Sequence, residues 1–273
     1  MPLTGKTALL TGAGRGIGRE AALKFARAGA NLVINDLDHE PLEQVAAEAR
    51  ALGVSVATFA ADATAPDFGD RFVDLAVNVF GVPDIIVNNA GYPWDAVIQK
   101  TTDEQFDAMV DLHLKAPFRV LRAAAPHIRD AARAEAAEGR EVFRKVVNIS
   151  SLSGVCGNAG QSGYAVGKAG IVGLTKTLAK EWGRYKVNVN AVAFGLIGTR
   201  LVQALGPEAT IKVEDREIPV GLSEQLLEQL SAMIPLGRPG KPEEAAGAIY
   251  LLCLPESDYI SGQVVICSGG LTI

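Results

Sequence analysis

Two hydrophobic rhythms alternate along this chain. Short β-branched or aliphatic runs are followed by longer stretches in which apolar residues return every three or four positions, the spacing of one helix face. The short runs predict strands at 7–11, 31–35, 54–60, 84–87, 145–149, 187–192 and 263–267. The longer stretches predict helices at 17–28, 41–52, 67–80, 102 to about 134, 162–185 and 243–252. Gly29 and Gly53 stand just past two of them, where a chain leaving a helix turns into the left-handed region. Pro117 falls inside the longest. Strand and helix in regular alternation predict an α/β protein, with a doubly wound parallel sheet of about seven strands and helices on both faces. Right-handed crossovers leave few ways to connect it. No Pro- or Ser-rich linker interrupts the order, so residues 1–273 read as one domain.

Two segments break the rhythm. Residues 131–144 are charged and alanine-rich, and read as a helical insertion reaching into solvent. Residues 199–235 form a long excursion after the sixth strand, read as a helical substrate lid. Leu201, Val202, Leu205, Ile211, Val213, Ile218, Val220 and Leu222 make it apolar, which suits a hydrophobic substrate.

Composition narrows the class. With 48% apolar and 21% charged residues, the chain falls among soluble globular proteins. A net charge of −5 gives it no general attraction for nucleic acid or anionic lipid, so neither is expected as a partner. Cys156, Cys253 and Cys267 are odd in number and lack C-x-x-C spacing. That argues against a disulfide framework and a zinc site, and no metal is expected. No apolar stretch approaches the roughly 18 residues of a membrane span, and the first residues lack a signal-peptide core. A cytoplasmic location is the expectation. Glycine departs from the average: 29 residues, where about 7% is usual.

Four of those glycines fall between the first strand and first helix, in Thr11-Gly12-Ala13-Gly14-Arg15-Gly16-Ile17-Gly18. A helix N-terminus offers free N–H groups and a positive dipole end to phosphate, and glycines let the backbone come close to it. The spacing is T-G-x-x-x-G-x-G. It is neither G-x-G-x-x-G nor a Walker loop. Asp36 ends the second strand, 18 residues past Gly18. A carboxylate there accepts hydrogen bonds from an adenosine ribose and repels a 2′-phosphate, which favours NAD over NADP. Arg15 pulls the other way.

Tyr164 and Lys168 are four residues apart and share one helix face. Ser151 ends the fifth strand, at the carboxyl edge where the glycine turn also emerges. A tyrosine beside an ammonium can give a proton to a carbonyl oxygen or take one from an alcohol, and a serine hydroxyl can hold that oxygen.

These residues, with Asn88-Asn89-Ala90-Gly91 after the fourth strand, resemble the short-chain dehydrogenase/reductase family over essentially the full length. Ile234-Pro235-Leu236-Gly237-Arg238, Pro242-Glu243-Glu244 and Ser268-Gly269-Gly270 resemble its 3-oxoacyl-acyl carrier protein reductase branch. The resemblance implies a Rossmann-like sheet, a nicotinamide cofactor and a homotetramer. It casts Tyr164 as acid/base, Lys168 as holding the nicotinamide ribose and lowering the tyrosine pKa, and Ser151 as orienting the substrate carbonyl. Gly12, Arg15, Gly16, Ile17 and Gly18 would carry the phosphates. Asp62 and Ala63 would meet the adenine, Asn89, Ala90 and Gly91 the cofactor floor, and Gly195, Ile197 and Thr199 the carboxamide end.

Two positions depart from the family. His113 stands where an asparagine is common. There the family uses the main-chain carbonyl in a proton relay, and an imidazole can brace the helix or titrate near neutrality. Phe194-Gly195 replaces a common Pro-Gly, so either the turn loosens or Phe194 packs in its place. Cys156 is expected to form a small apolar wall of the substrate loop. The expected activity is NAD(H)-dependent interconversion of a secondary alcohol and a ketone, with a 3-oxoacyl thioester as first substrate. A hydroxysteroid-like or other hydrophobic alcohol, and a nicotinamide-binding sensor without turnover, are the alternatives.

Overall fold

The computed structural model describes residues 1–200, 202, 210–213, 216–221 and 223–271. Its first half runs β1 (Thr7–Leu10), α1 (Gly16–Arg27), β2 (Asn31–Asp36), α2 (His39–Ala51), β3 (Val56–Ala60), α3 (Phe68–Phe80), β4 (Ile85–Asn88), α4 (Asp103–Val110) and α5 (Ala116–Ala137). The second half runs β5 (Arg144–Ser151), α6 (Leu152–Cys156), α7 (Ser162–Trp182), β6 (Val187–Phe194), β7 (Thr210–Val213), β8 (Arg216–Pro219), α8 (Glu224–Ala232), α9 (Pro242–Leu251) and β9 (Val264–Cys267). Seven strands form one sheet in the order β3-β2-β1-β4-β5-β6-β9, all parallel. Strand order reverses at β1, which pairs with β2 on one side and β4 on the other. Such a switch point opens a crevice at the carboxyl ends of the strands.

Both faces are covered, which is why the strands read as continuous apolar runs rather than alternating ones. Phe25 of α1, Leu42 and Val45 of α2, and Ile249 of α9 pack on one face. Phe68 and Phe72 of α3, Leu121 of α5, and Leu178 and Trp182 of α7 pack on the other. Phe25, Phe68 and Phe72 are fully buried, and each contributes roughly 1.5–3 kcal/mol of apolar burial.

Three expectations change. The helix read over 102–134 is interrupted by a π-helical turn at Asp111–Lys115. Pro117 has no N–H to return to the His113 carbonyl four residues earlier, and the turn that carries that carbonyl is the widened one, whereas α5 runs on through Pro126. The 131–144 segment is not helical throughout: α5 ends at Ala137 and Arg144 already opens β5. Buried Arg144 holds Glu135 by two hydrogen bonds of 2.8 and 2.6 Å, which ties the end of α5 to the sheet. The 199–235 excursion is not wholly helical either. β7 and β8 pair antiparallel, with buried Ile211 opposite buried Ile218, before α8 begins. Leu201, Leu205 and Leu222 lie outside the described residues.

Candidate active site

The glycine turn leads from β1 into α1. Arg15 caps α1 in extended conformation without a side-chain hydrogen bond, and the first turn has no acidic residue. The first N–H groups therefore face the crevice with no side-chain acceptor, as an anion site requires. The turn is held from below by Asn89, whose amide donates to the Thr11 and Gly12 carbonyls (3.1 and 2.9 Å). The Thr11 hydroxyl accepts from the Asn89 and Ala90 N–H groups (3.0 and 3.1 Å). A Cβ on Gly12, at φ +65°, would sit 2.7 Å from the Ala90 Cα. A Cβ on Gly18 would overlap the Gly12 carbonyl. These two glycines are therefore demanded by packing as well as by any ligand. Asn89 braces the turn more than it forms a cofactor floor.

One cleft of about 740 Å³ gathers the expected residues. Gly12, Arg15, Gly16, Ile17, Gly18, Asp36, Asp62, Ala63, Asn89, Ala90 and Gly91 line it. His113, Ser151, Tyr164, Lys168, Gly195, Ile197 and Thr199 line it as well. Asp36 accepts from the Gly14 N–H (2.8 Å) and the Asp38 N–H (3.2 Å), so it fastens the glycine turn to the end of β2. Arg15 pairs with Asp38 at 3.3 Å. Asp62 accepts from the Thr64 N–H at 2.8 Å and the Thr64 hydroxyl at 2.5 Å, closing the turn after β3. The uncapped helix end and the glycine cradle fit a dinucleotide.

Ser151 ends β5 and accepts from the Ser153 N–H at 3.2 Å. Tyr164 and Lys168 stand one turn apart on α7, with the Lys168 Nζ 5.7 Å from the Tyr164 ring centre. Lys168 donates to the Ile149 carbonyl at 2.8 Å. Burial pushes the Lys168 amine down to about 7. Burial also pushes the Tyr164 phenol up to about 12, with a lesser upward push from the Asp95 carboxylate, while its hydrogen bond with Ser151 pulls downward. In the protein alone, Lys168 does not draw the phenol down as expected. An amine desolvated this far carries only part of its charge near neutrality.

His113 is buried and donates through Nε2 to the Tyr92 carbonyl at 2.9 Å. Its ring meets Tyr164 edge-on at 4.9 Å. Burial and the nearby Lys168 hold it well below the usual histidine range, so the expectation of titration near neutrality does not stand. Phe194 is 6% exposed and joins the core, so it packs where the family has proline. Cys156 is exposed at the end of α6 and does not line the cleft, contrary to expectation.

Sequence reasoning missed a polar cluster beside the phenol. Gln161 donates to Asp95 (2.7 Å) and accepts from the Ser153 hydroxyl (2.7 Å) and the Asn158 amide (3.0 Å). Its place three residues before Tyr164, at the cap of α7, was an available signal. Arg200 was also missed. It interacts with Arg15, Asp38 and Asp36 at the adenosine end.

A crevice at the sheet's switch point, with a phosphate cradle at one end and Ser151, Tyr164 and Lys168 at the other, defines a nicotinamide-dependent oxidoreductase. The chain belongs to the short-chain dehydrogenase/reductase family, whose members act on CH–OH donors. A family model described as enoyl-(acyl carrier protein) reductase matches residues 12–272. The chain is 36% identical over 273 residues to 3-oxoacyl-(acyl-carrier-protein) reductase FabG of Thermotoga maritima, covering 100% of both chains. It is 33% identical over 267 residues to FabG of Staphylococcus aureus strain Mu50, covering 97% of this chain and 98% of the relative. The 3-oxoacyl-(acyl-carrier-protein) reductase of Synechocystis is 33% identical over 273 residues, with 99% and 98% covered. Among the described residues, no helix is long and apolar enough to cross a membrane.

Proposed function

We propose that the protein is an NAD(H)-dependent reductase of 3-oxoacyl thioesters, taking the acyl-carrier-protein substrate its relatives' names state. The observation that carries this reading is the meeting of Ser151, Tyr164 and Lys168 at one end of the cleft that the glycine turn opens. A nicotinamide held in this cleft would supply the hydride for the substrate's carbonyl carbon. Ser151 holds the carbonyl oxygen, and the Tyr164 hydroxyl gives it the proton that completes the alcohol. Lys168 anchors the ribose. Val202, Ile211 and Leu230 line the cleft and support the 199–235 segment as cover over an acyl chain. NADH oxidation with acetoacetyl thioester, beside a panel of steroid and simple ketones, tests the reading. Turnover on the steroid ketones alone would move the substrate to a hydrophobic alcohol. Binding of NADH with no turnover on any ketone would make the protein a sensor.

Asp36 and Asp38 set the cofactor preference. Arg15 is partnered by Asp38, and Arg200 lies near both carboxylates, so a 2′-phosphate would meet negative charge already arranged around the basic groups. NADH is expected to exceed NADPH by about tenfold or more in kcat/KM, since a charge clash of about 1.4 kcal/mol is enough. Equal use of the two cofactors would refute it.

The phenol pKa shapes the pH dependence of each direction. With Tyr164 near 12, the proton donor is present throughout the neutral range. Oxidation needs the phenolate, whose population rises up to about tenfold per pH unit below that value. Ketone reduction is therefore expected to keep its proton donor across the neutral range, and alcohol oxidation to climb steadily into alkali. Steady-state rates in both directions across pH check this. An oxidation rate that levels off below neutrality would contradict it.

A further inference from the structure

The Nδ1 atom of His113 is a buried polar atom with no hydrogen-bond partner. The other ring nitrogen fixes its state. Nε2 lies 2.9 Å from the Tyr92 carbonyl, and a carbonyl only accepts. Nε2 must carry the hydrogen, so in the neutral ring Nδ1 presents a lone pair. Gly91 packs against that edge of the ring: a Cβ there would stand 3.1 Å from Nδ1 and 2.6 Å from the adjacent Cε1, so only glycine fits beside it. Gly91, His113 and Lys168 all line the cleft. Among the described residues nothing fills the role of donor: Lys168 is directed to the Ile149 carbonyl and Tyr164 is engaged with Ser151.

We propose that His113 is a fixed, neutral hydrogen-bond acceptor in the cleft: Nε2 donates to Tyr92, and Nδ1 receives a hydrogen bond from an O–H donor. That donor is either a hydroxyl of the cofactor's nicotinamide-side ribose or a water held beside Lys168. The proposal rests on the oxidoreductase reading above. Its surroundings keep the ring neutral. Lys168 and Tyr164 face it from α7, the Tyr92 carbonyl faces it from the loop after β4, and on its own turn Asp111 and Lys115 pair with each other at 2.6 Å. Among the described residues, Lys168 is the charged group that acts on it from another element, and that cation opposes a second positive charge. Placed on the helix, the imidazole also locks its turn. A Cβ on Gly167 would sit 2.8 Å from the His113 Cβ, so α7 packs directly on it.

Two substitutions separate the two nitrogens. His113→Asn places an amide oxygen near the position of Nδ1, and His113→Gln places an amide N–H near that of Nε2. If Nδ1 matters as an acceptor, His113→Asn keeps kcat within about threefold, and His113→Gln and His113→Ala lose about tenfold or more, the worth of one buried hydrogen bond. If the ring only braces Tyr92, the order reverses, and that result overturns the proposal. Nitrogen-15 NMR of the wild-type protein gives a readout independent of turnover. It should show protonated Nε2 and bare Nδ1 from about pH 5.5 to about pH 9. A proton on Nδ1, or a titration near the ordinary histidine value, overturns it. A weaker NADH affinity in His113→Gln identifies the ribose hydroxyl as donor, and an unchanged affinity with lower kcat identifies water. A wild-type protein inert on every ketone would instead refute the oxidoreductase reading and leave the NMR result standing.

Discussion

Replacing Tyr164 with phenylalanine is expected to cut ketone turnover by on the order of a thousandfold, the worth of a well-placed general acid. The ring itself stays. Its edge contact with His113 at 4.9 Å needs no hydroxyl, and α7 keeps its packing against β5 and β6. The loss should therefore fall in kcat, with NADH affinity changed by no more than about twofold, because only a transition-state interaction has been removed. The melting temperature should hold or rise slightly. Burial has already pushed this phenol up to about 12, so a methine in its place loses one hydrogen bond and removes a desolvated oxygen. Single-turnover kinetics with a fluorescence titration of NADH separate the two quantities. Turnover within tenfold of the wild type would assign the proton to another group.

Much of this site is written in spacing. Ser151, Tyr164 and Lys168 are placed by a strand end and one helical turn, both of which periodicity sees. The same holds for the glycine turn and Asp36, because a strand, a turn and a helix in succession leave only one edge for them to occupy. What spacing cannot show is how much water each group loses. The sequence argument gave Lys168 an ammonium that lowers the phenol, whereas burial takes charge from the amine and raises the phenol. Gln161 and Asp95 escaped notice because their contact joins a helix start to a loop 66 residues earlier in the chain.

The fold shows the same division. Helices α1 and α3 and strands β2 and β4 lie within a residue or two of their expected bounds, since one apolar pattern governs each. β5 begins one residue earlier than expected, on Arg144 ahead of Lys145. These charges are buried only because Glu135, Asn188 and Asp258 meet them, and local pattern carries no sign of those partners. The hairpin in the 199–235 segment was within reach. Ile211 and Ile218 sit in short alternating runs of period two, and weighting apolar content above period concealed it. The π-helical turn had its signal in Pro117, which bears on the His113 carbonyl rather than on the helix as a whole.

Lys168→Met should separate function from stability, because the two respond in opposite directions. The amine is 4% exposed, and its fall from 10.5 to about 7 corresponds to roughly 5 kcal/mol against the charged form, as an order of magnitude. Between those values the unfolded chain binds a proton that the native protein does not. Native stability therefore rises with pH from about 7 towards 10.5, and the penalty is largest below 7. Methionine has a similar length, fills the same space and carries no charge. It forfeits the hydrogen bond to the Ile149 carbonyl, worth roughly 1.5–3 kcal/mol when the donor is charged. The buried penalty is the larger of the two, so the variant should be at least as stable as the wild type at pH 6 and lose that advantage in alkali. Activity should nonetheless fall about a hundredfold, with weaker NADH binding, because no other amine in the described cleft can hold the ribose beside Tyr164. Chemical denaturation at two pH values, run beside NADH titration and turnover, reads both effects. A stable variant that retains activity within about threefold would remove Lys168 from the machinery, because the expected loss of about 2.7 kcal/mol in transition-state binding would be missing.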